Sequence, residues 1–327
     1  KYLSMRKGEA GWMITYSFEN PIVAAEQGQD ADINVVVCQE ALDIQDIAAL
    51  PQLEYLNLDH TELPEGSLET LSSLKMITCD YIQLDMLRLA LGDAAKGLER
   101  LNASHLKSLE ELSYFPGLKS LEMEDCREIS DISALAQVKD LENLKLYDMD
   151  EVNDFTVLNV LKKLRSLSID AENLKDISFI NHMPELASLG ITDSKILLLD
   201  PLVGKESLKE LVLVDNGEVR DYNPVGTLTG LETLVINKYT SQEDPDLTAL
   251  TGLKHGEFHG MMGIRFLGSL TGLEELKVQG CNVDQPSVIA SLPALKKLTY
   301  RKNWGNSDDL SFLAGCQGLT CLDMNHS

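Results

Sequence analysis

The sequence predicts an α/β solenoid, in which short parallel β-strands stack into one sheet and a 3₁₀ or α segment returns the chain behind each strand. The first observation is a spacing of apolar residues that starts with Leu118, Leu121 and Met123 and begins again at Leu141. The second is its recurrence, because the chain contains thirteen such starts, Leu118 among them, at intervals of 20 to 24 residues. These first leucines are Leu53, Leu74, Leu98, Leu118, Leu141, Leu164, Leu186, Leu208, Leu231, Leu253, Leu273, Leu295 and Leu319. Self-similarity at this period indicates stacked repeats that share a continuous core.

The composition narrows the classes of partner. The chain has 327 residues, with 52 acidic and 28 basic side chains and a formal net charge of −24. A surface of that sign repels phosphate backbones and anionic lipid, so we expect neither nucleic acid nor a membrane surface as a partner. No apolar run approaches the roughly 18–20 residues of a membrane span, so membrane insertion is not expected.

Two regions are predicted along the chain. Residues 1–32 do not follow the repeat and are expected to form an N-terminal cap, because a solenoid needs an end piece over its first turn. Residues 33–327 form the repeat array, which starts with a degenerate first turn at the strand-like segment 33–38 and continues with about thirteen regular repeats. We expect the protein to be a monomer.

The returning half of each repeat carries its own signal, an Asp at the start of the segment. These residues are Asp46, Asp131, Asp154, Asp176, Asp200, Asp221 and Asp284. Asp favours a helical start because its carboxylate accepts hydrogen bonds from the free N–H groups of the first turn. Pro201 supports this interpretation at Asp200, since proline is preferred in the first turn. The segment 83–96 is expected to form the longest helix.

The six cysteines do not imply a disulfide framework. Four of them, Cys38, Cys79, Cys126 and Cys281, are predicted to lie on separate turns. Parallel strands are about 4.8 Å apart, so cysteines two or more turns apart exceed the Cα separation of about 7 Å that a disulfide allows. We expect these four to be small buried core residues. Cys316 and Cys321 are close enough in sequence to pair.

The segment 118–135 contains the fullest copy of the pattern L-x-x-L-x-L-x-x-N/C-x-I-x-D-I-x-x-L. Over about residues 42–327 the chain resembles the bacterial internalin-like, SDS22-like class of leucine-rich repeats. Cys126, Asn216, Cys281 and Asn303 occupy the N/C position of the pattern. The resemblance implies a horseshoe with its parallel sheet on the concave side, and a non-enzymatic module that binds proteins. It also implies an extracellular or cell-surface bacterial protein, with a cytoplasmic location as the alternative.

Acidic residues follow the strands on the side predicted to face solvent. We call this set the acidic track: Asp59, Asp80, Glu124, Asp125, Asp148, Asp170, Asp193 and Asp215. In later repeats the matching places change sign or become neutral, with Lys238, His259, Gln279, Arg301 and Lys302. Like charges at strand spacing repel one another, so a column of them calls for a compensating reason.

Two interpretations of the acidic track stay open at this point. It could bind a partner, either a protein with a basic segment, a cation or the hydroxyls of a carbohydrate. It could instead be a solvated face that keeps the solenoid soluble. Tyr147, with Tyr55 and Tyr81, would suit a protein contact or the stacking of a sugar. We predict no cofactor.

One other cluster suggests chemistry. His255, Glu257 and His259 alternate along a predicted strand, so all three side chains should point to the same face. Two imidazoles and a carboxylate could hold zinc or another transition metal, which makes a metal-binding protein or metal-dependent enzyme the alternative function. The competing interpretation is a solvent-facing cluster at an irregular repeat, where Gly256 replaces a core leucine.

Overall fold

The structure is a computed structural model that describes residues 2–8, 11–17, 33–38, 53–59, 63–238, 243–305 and 307–324. Its contacts divide the chain into two units, Lys1–Leu164 and Arg165–Ser327. The strands of the first unit are β1 (Tyr2–Gly8), β2 (Gly11–Ser17), β3 (Ile33–Cys38), β4 (Tyr55–Asp59), β5 (Met76–Asp80), β6 (Arg100–Ser104), β7 (Ser120–Glu124) and β8 (Asn143–Leu146). Those of the second are β9 (Ser166–Asp170), β10 (Ser188–Thr192), β11 (Glu210–Val214), β12 (Thr233–Asn237), β13 (His255–His259), β14 (Glu275–Gln279), β15 (Asn282–Val283), β16 (Lys297–Arg301), β17 (Trp304–Gly305) and β18 (Cys321–Asp323).

In the first unit, β4 to β8 are parallel and pair in chain order. The three earlier strands differ: β1 pairs in parallel with β4, whereas β2 is antiparallel to both β1 and β3. The segment 33–38 therefore lies beside β2 and not beside the first repeat strand, unlike the degenerate first turn that the sequence suggested. Residues 18–32 and 39–52, with Asp46 among them, lie outside the described residues. The predicted boundary of the cap stays a prediction.

In the second unit, β9 to β14 are parallel and pair in chain order, and β16 and β18 extend the same sheet. The short strands β15 and β17 pair separately. The described residues of the two units together hold thirteen parallel repeat strands, one for each predicted first leucine. This confirms the predicted leucine-rich repeat solenoid.

The returning segments are short, as predicted. The 3₁₀ segments are Gly92–Gly97, Glu110–Tyr114, Ser133–Gln137, Thr156–Val160, Ser178–His182, Asp200–Leu202, Asn223–Thr227, Arg265–Ser269 and Ser311–Gly315. Among the described residues, the α-helices are Leu84–Leu91 and Ser287–Ala290. The helix predicted over 83–96 ends earlier, because Gly92 turns the backbone with φ +51°. Within the described residues no helix has the length and apolar character needed to cross a membrane.

The core consists of the inward-facing leucines and their aliphatic neighbours. Of the thirteen first leucines, twelve are at most 2% exposed, and Leu319 is half-buried. Cys79, Cys126 and Cys281 are buried free thiols, as expected, whereas the side chain of Cys38 is not described. Burial raises the pKa of Cys79 to about 12 and that of Cys281 to about 11, which leaves both thiols protonated. Cys316 and Cys321 are also free thiols.

Gly256 occupies a place where the repeat expects a core leucine, and the packing explains it. A Cβ atom built on Gly256 would lie 2.7 Å from Phe258 Cε2 and 3.3 Å from Leu273 Cδ1. Phe258 is fully buried and packs edge-to-face against Phe266, with ring centroids 5.0 Å apart. The ring of Phe258 therefore fills the volume that a leucine would take in a regular repeat.

The aspartates of the returning segments act as predicted at four positions. Asp131, Asp154, Asp176 and Asp221 each accept a hydrogen bond from the backbone N–H two residues later, at 2.7–2.9 Å. Asp246 and Asp309 do the same, although the sequence reading did not include them. Two predictions were wrong. Asp200 lies within its 3₁₀ segment, and Asp284 instead accepts hydrogen bonds from Arg265.

The backbone turns sharply after most repeat strands at one residue, which we call the turn position and define by its positive φ. In the described residues these are Tyr81, His105, Asp125, Asp148, Asp193, Asp215, Gly260, Gly280 and Lys302, with φ between +45° and +69°. The N–H of His105 donates to the carbonyl of Glu124, the last residue of the next strand, at 3.1 Å, and Asp193 bonds Val214 in the same way. Asp, His and Gly tolerate this conformation better than most residues.

A row of alternating charge precedes the strands, at the residue after eleven of the thirteen first leucines; Ala187 and Thr320 are the exceptions. In the first unit Glu99 lies between Lys75 and Lys119, at 3.2 and 3.8 Å. In the second unit Glu232 lies 2.6 Å from Lys254 and 4.0 Å from Lys209. Exposed pairs of this kind contribute little to stability, because solvent screens them. Alternation nevertheless avoids like-charge contacts along the row, so these residues do not contribute to the acidic surplus.

The first prediction concerns Gly256. Restoring the repeat residue by Gly256→Leu is expected to lower the free energy of unfolding by about 1–3 kcal/mol, because Phe258 already occupies the space. The double variant Gly256→Leu with Phe258→Val should recover part of this loss, because the smaller valine leaves room for the leucine. Urea denaturation of the wild type, both single variants and the double variant should therefore give a favourable coupling energy between the two positions. A stabilised Gly256→Leu variant, or purely additive effects, would contradict this account.

The second prediction concerns acid stability. Hydrogen bonds from the residue two positions later lower the pKa values of Asp131, Asp154, Asp246 and Asp309 below the ordinary value of 3.8. A lowered folded pKa contributes stability that is fully present above the unfolded pKa, about 3.9, and is lost as pH falls through the folded value. In the variant with all four replaced by Asn, the side-chain amide oxygen still accepts a hydrogen bond but does not titrate. The urea concentration at the midpoint of unfolding should therefore fall less on acidification in this variant than in the wild type. An equal loss in the wild type and the variant would argue against this origin.

The third prediction isolates the backbone at the turn position. Asp193 has φ +45° and an exposed side chain. Asp193→Asn should leave the unfolding free energy nearly unchanged, whereas Asp193→Val should lower it by about 1–2 kcal/mol, because β-branched residues disfavour a positive φ. Chemical denaturation of both variants checks this, and equal stabilities would show that φ does not restrict this position.

Candidate binding surface

The predicted acidic track occupies two distinct backbone positions. Asp59, Asp80, Glu124 and Asp170 are the last residues of their strands. Asp125, Asp148, Asp193 and Asp215 occupy the turn position. The sequence analysis grouped all of these residues as one acidic track. Only the second group has a positive φ, which restricts the choice of residue. The side chain of Asp59 lies outside the described part of the chain.

In the first unit, basic side chains lie among the carboxylates. Arg127 Nη2 is 2.8 Å from Asp125 Oδ1 and 3.5 Å from Asp148 Oδ1, so one guanidinium lies close to two turn-position carboxylates. His105 Nδ1 lies 2.7 Å from Asp80 Oδ1. The sequence reading missed Arg127, although its place two residues after Asp125 was a usable signal. These contacts supply part of the compensation that stacked like charges need.

The aromatic residues named with the track have different surroundings. Tyr81 is 49% exposed and stacks on His105, with ring centroids 3.9 Å apart. Tyr147 is half-buried and directly follows β8. Tyr55 is half-buried, and its hydroxyl donates to Thr78 Oγ1 at 3.4 Å. Tyr81 therefore presents the most accessible aromatic surface of the three.

In the second unit, neutral side chains donate hydrogen bonds to two of the three track carboxylates. Asp170 accepts a hydrogen bond from Thr192 Oγ1 at 2.9 Å, and Asp215 accepts one from Asn237 Nδ2 at 3.3 Å. The carboxylate of Asp193 is exposed and makes no hydrogen bond or ion pair with the described residues. Lys195 follows Asp193 by two residues, as Arg127 follows Asp125, but its Nζ pairs with Glu172 at 2.6 Å. The pKa of Lys195 is raised by that hydrogen bond and further by the nearby charge of Asp193.

The predicted change of sign after the track is smaller than the sequence suggested. Lys238 has a fully buried side chain that pairs with Asp244 at 3.0 Å, so it adds no positive charge to the surface. The guanidinium of Arg301 binds the carboxylate of Asp323 in the neighbouring strand β18. Lys302 occupies the turn position and is exposed. Sequence periodicity placed Lys238 correctly along the repeat but could not predict that its side chain turns inward.

The His255, Glu257 and His259 side chains alternate with buried residues on β13, as predicted. Lys277 from β14 lies 2.8 Å from one oxygen of Glu257 and 3.3 Å from the other. Glu257 also lies 3.9 Å from His259, whose pKa is lowered by burial and by the nearby charge of Lys277. In the part of the chain that the structure describes, no group of three His, Cys, Asp or Glu residues could hold a metal ion. The metal alternative therefore gains no support.

A recess of about 400 Å³ opens over β12, β13, β14, β16 and β18 in the second unit. Its charged lining includes Glu257 with Lys277 and Glu275 with Lys297, the latter pair 2.7 Å apart. Acidic and basic groups are thus matched within the recess. The sequence reading missed Lys277 and Lys297, which alignment of the repeats would have placed beside the two glutamates.

Comparison with known proteins agrees with this architecture. No protein-family model matches the chain, and no curated protein sequence matches it. Among solved structures, an internalin (inlF) from Listeria monocytogenes is similar over 94% of each chain, with 22% identity and a TM-score of 0.56. The leucine-rich repeat protein LIC12759 from Leptospira interrogans is similar over 88% of each chain, with 16% identity and a TM-score of 0.60. The chain therefore has the leucine-rich repeat fold of these two bacterial proteins.

Proposed function

We propose that this chain is a non-enzymatic recognition scaffold that holds a protein partner on the solvent-facing side of its repeat sheet. Acidic side chains of the track would make the polar contacts, with Tyr147 and Tyr81 beside them in the first unit. The observation that carries the proposal is the placement of Asp125, Asp148, Asp193 and Asp215 at one recurring backbone position. The similarity to an internalin of the same fold is consistent with an extracellular or cell-surface location.

The backbone alone does not account for these charges. Asn tolerates a positive φ as well as Asp does, yet no Asn occupies the turn position among the described residues. Asp80, Glu124 and Asp170 add negative charge at strand ends, where the backbone needs no special residue. The chain thus uses a charged residue where an uncharged one would fold equally well. This choice favours a role in recognition over a role in folding.

The setting of these groups suits protein recognition. At Asp193 the turn is fixed by a hydrogen bond from its N–H to the carbonyl of Val214 on the neighbouring strand, so a partner would meet a carboxylate whose backbone is already ordered. Pre-ordered contact groups lower the entropic cost of association. An acidic surface also speeds encounter with a basic partner and discriminates against acidic ones. We therefore expect the partner segment to carry lysine or arginine.

The test uses charge-neutral variants that preserve the backbone. The face variant Asp193→Asn with Asp215→Asn removes two charges from the sheet face of the second unit and keeps residues that accept a positive φ. The matched control is Asp176→Asn with Asp221→Asn, which removes two charges from the returning segments of the same unit. Short random peptides displayed on phage are selected on the immobilised whole chain, and the enriched peptides are synthesised.

We expect enriched peptides to contain Lys or Arg and to bind the face variant roughly tenfold more weakly than the wild type. The control variant should bind them as the wild type does, and added salt should reduce the difference between variants. Isothermal titration calorimetry measures each affinity. Peptides without basic residues, equal affinities for the face variant and the wild type, or a failure to enrich any peptide would overturn the proposal.

A further inference from the structure

The solvent-facing side of β10, β11 and β12 contains an uncharged apolar area. Gly190, Val212 and Val235 are register partners on these three neighbouring strands. Val214 lies two residues after Val212 on the same face of β11. We call Val212, Val214 and Val235 the valine floor. All three valines are only half-buried, so each keeps apolar surface in contact with solvent.

On the described repeat strands outside β10, β11 and β12, the equivalent places hold polar or charged residues and no aliphatic one. The uncharged polar residues are Asn57, Thr78, Asn102, Ser168 and Thr299. In the first unit, Glu122 on β7 pairs with Lys145 on β8 at 3.2 Å. In the second unit, the strand after β12 places Glu257 in register with Val235, and Lys277 follows on β14. The inward-facing residues of β11 and β12 are ordinary buried aliphatics, so packing of the core does not require valine on the outer side. The valine floor is therefore a local feature of this face.

Carboxylates border the valine floor on two sides. Asp193 and Asp215 lie at the turns that follow β10 and β11, and Asp170 ends β9. At the other end of β11, Glu210 accepts a hydrogen bond from Ser188 Oγ at 2.8 Å. A partner residue placed on the valine floor would therefore have negative charge within reach on both sides along the strand direction.

We propose that the valine floor is the centre of the contact in the second unit and takes an aliphatic or aromatic side chain of a protein segment, with Lys or Arg beside it in that segment. This proposal rests on the proposed function and specifies its partner. Neighbouring strands are about 4.8 Å apart, and residues i and i+2 about 6.6 Å, so the floor matches one or two side chains in size. Interfaces concentrate affinity in such an apolar centre surrounded by polar groups.

The chemistry of this area selects a protein segment over other ligands. Valine side chains offer no hydrogen-bond donors or acceptors, so the centre of the area gives sugar hydroxyls no partners. The surrounding carboxylates repel phosphate and favour cationic groups. A segment that alternates an apolar residue with Lys or Arg satisfies both the floor and its acidic border.

The experiment uses the peptides enriched on the whole wild-type chain. The floor variant is Val212→Thr with Val235→Thr, because Thr keeps the β-branched shape that suits a strand and adds a hydroxyl. The matched control is Val203→Thr, an exposed valine that follows the 3₁₀ segment Asp200–Leu202. An unchanged melting temperature for each variant verifies folding. Methyl NMR of valine-labelled protein reports contact with Val212, Val214 and Val235 directly.

The enriched peptides should place an aliphatic or aromatic residue beside Lys or Arg and bind the floor variant about tenfold more weakly, with no change for Val203→Thr. Their addition should shift the methyl signals of the valine floor. Peptides that lose affinity for the Asp193→Asn, Asp215→Asn variant but bind the floor variant as the wild type would overturn this inference and leave the proposed function intact. Peptides that bind both variants like the wild type would overturn both.

Discussion

The geometry of the repeats depends on the turn that follows most of the strands, at the residue with positive φ. At the turn position the backbone adopts a positive φ. The N–H of this residue donates to the last carbonyl of the next strand at Tyr81, His105, Asp193, Gly260 and Gly280. Next to it lies the N/C residue of the repeat. Asn303 donates to the carbonyl of Val278 at 3.1 Å, and Cys281 Sγ lies 3.3 Å from the carbonyl of Phe258. These bonds satisfy backbone groups that would otherwise be buried without partners, and they fix each turn to its neighbour.

This constraint separates the charges of the chain into groups with different roles. Asp131 and Asp154 serve the returning segments, where each holds a backbone N–H, and their charge follows from that structural task. Glu99 and Glu232 belong to alternating rows whose charges are matched by lysines. The net charge of −24 is therefore not evidence of a binding surface by itself. Asp193 is different, since its turn needs a tolerant residue but not a negative one.

The sequence predicted those features that depend on spacing along the chain. First leucines such as Leu118 are buried, and Asp131 caps its segment, because both roles follow from position within one repeat. Other features depend on contacts between repeats or on local chain direction. The inward turn of Lys238 toward Asp244 and the antiparallel pairing of the segment 33–38 are of this kind. No periodic pattern contains that information, which explains why the sequence did not predict the pairing of the segment 33–38 and overstated the change of sign.

Departures from the repeat have different meanings on the two sides of the sheet. Gly256 faces the core, and the ring of Phe258 accounts for it completely through packing. Val212 and Val235 face solvent, where no neighbouring core residue constrains their size or polarity. In a solenoid each outward side chain can change with little effect on the core, because alternation along the strand separates the two faces. An inward irregularity therefore reflects the filling of volume, whereas an outward one that replaces a polar or charged side chain by exposed apolar surface is better explained by what binds there.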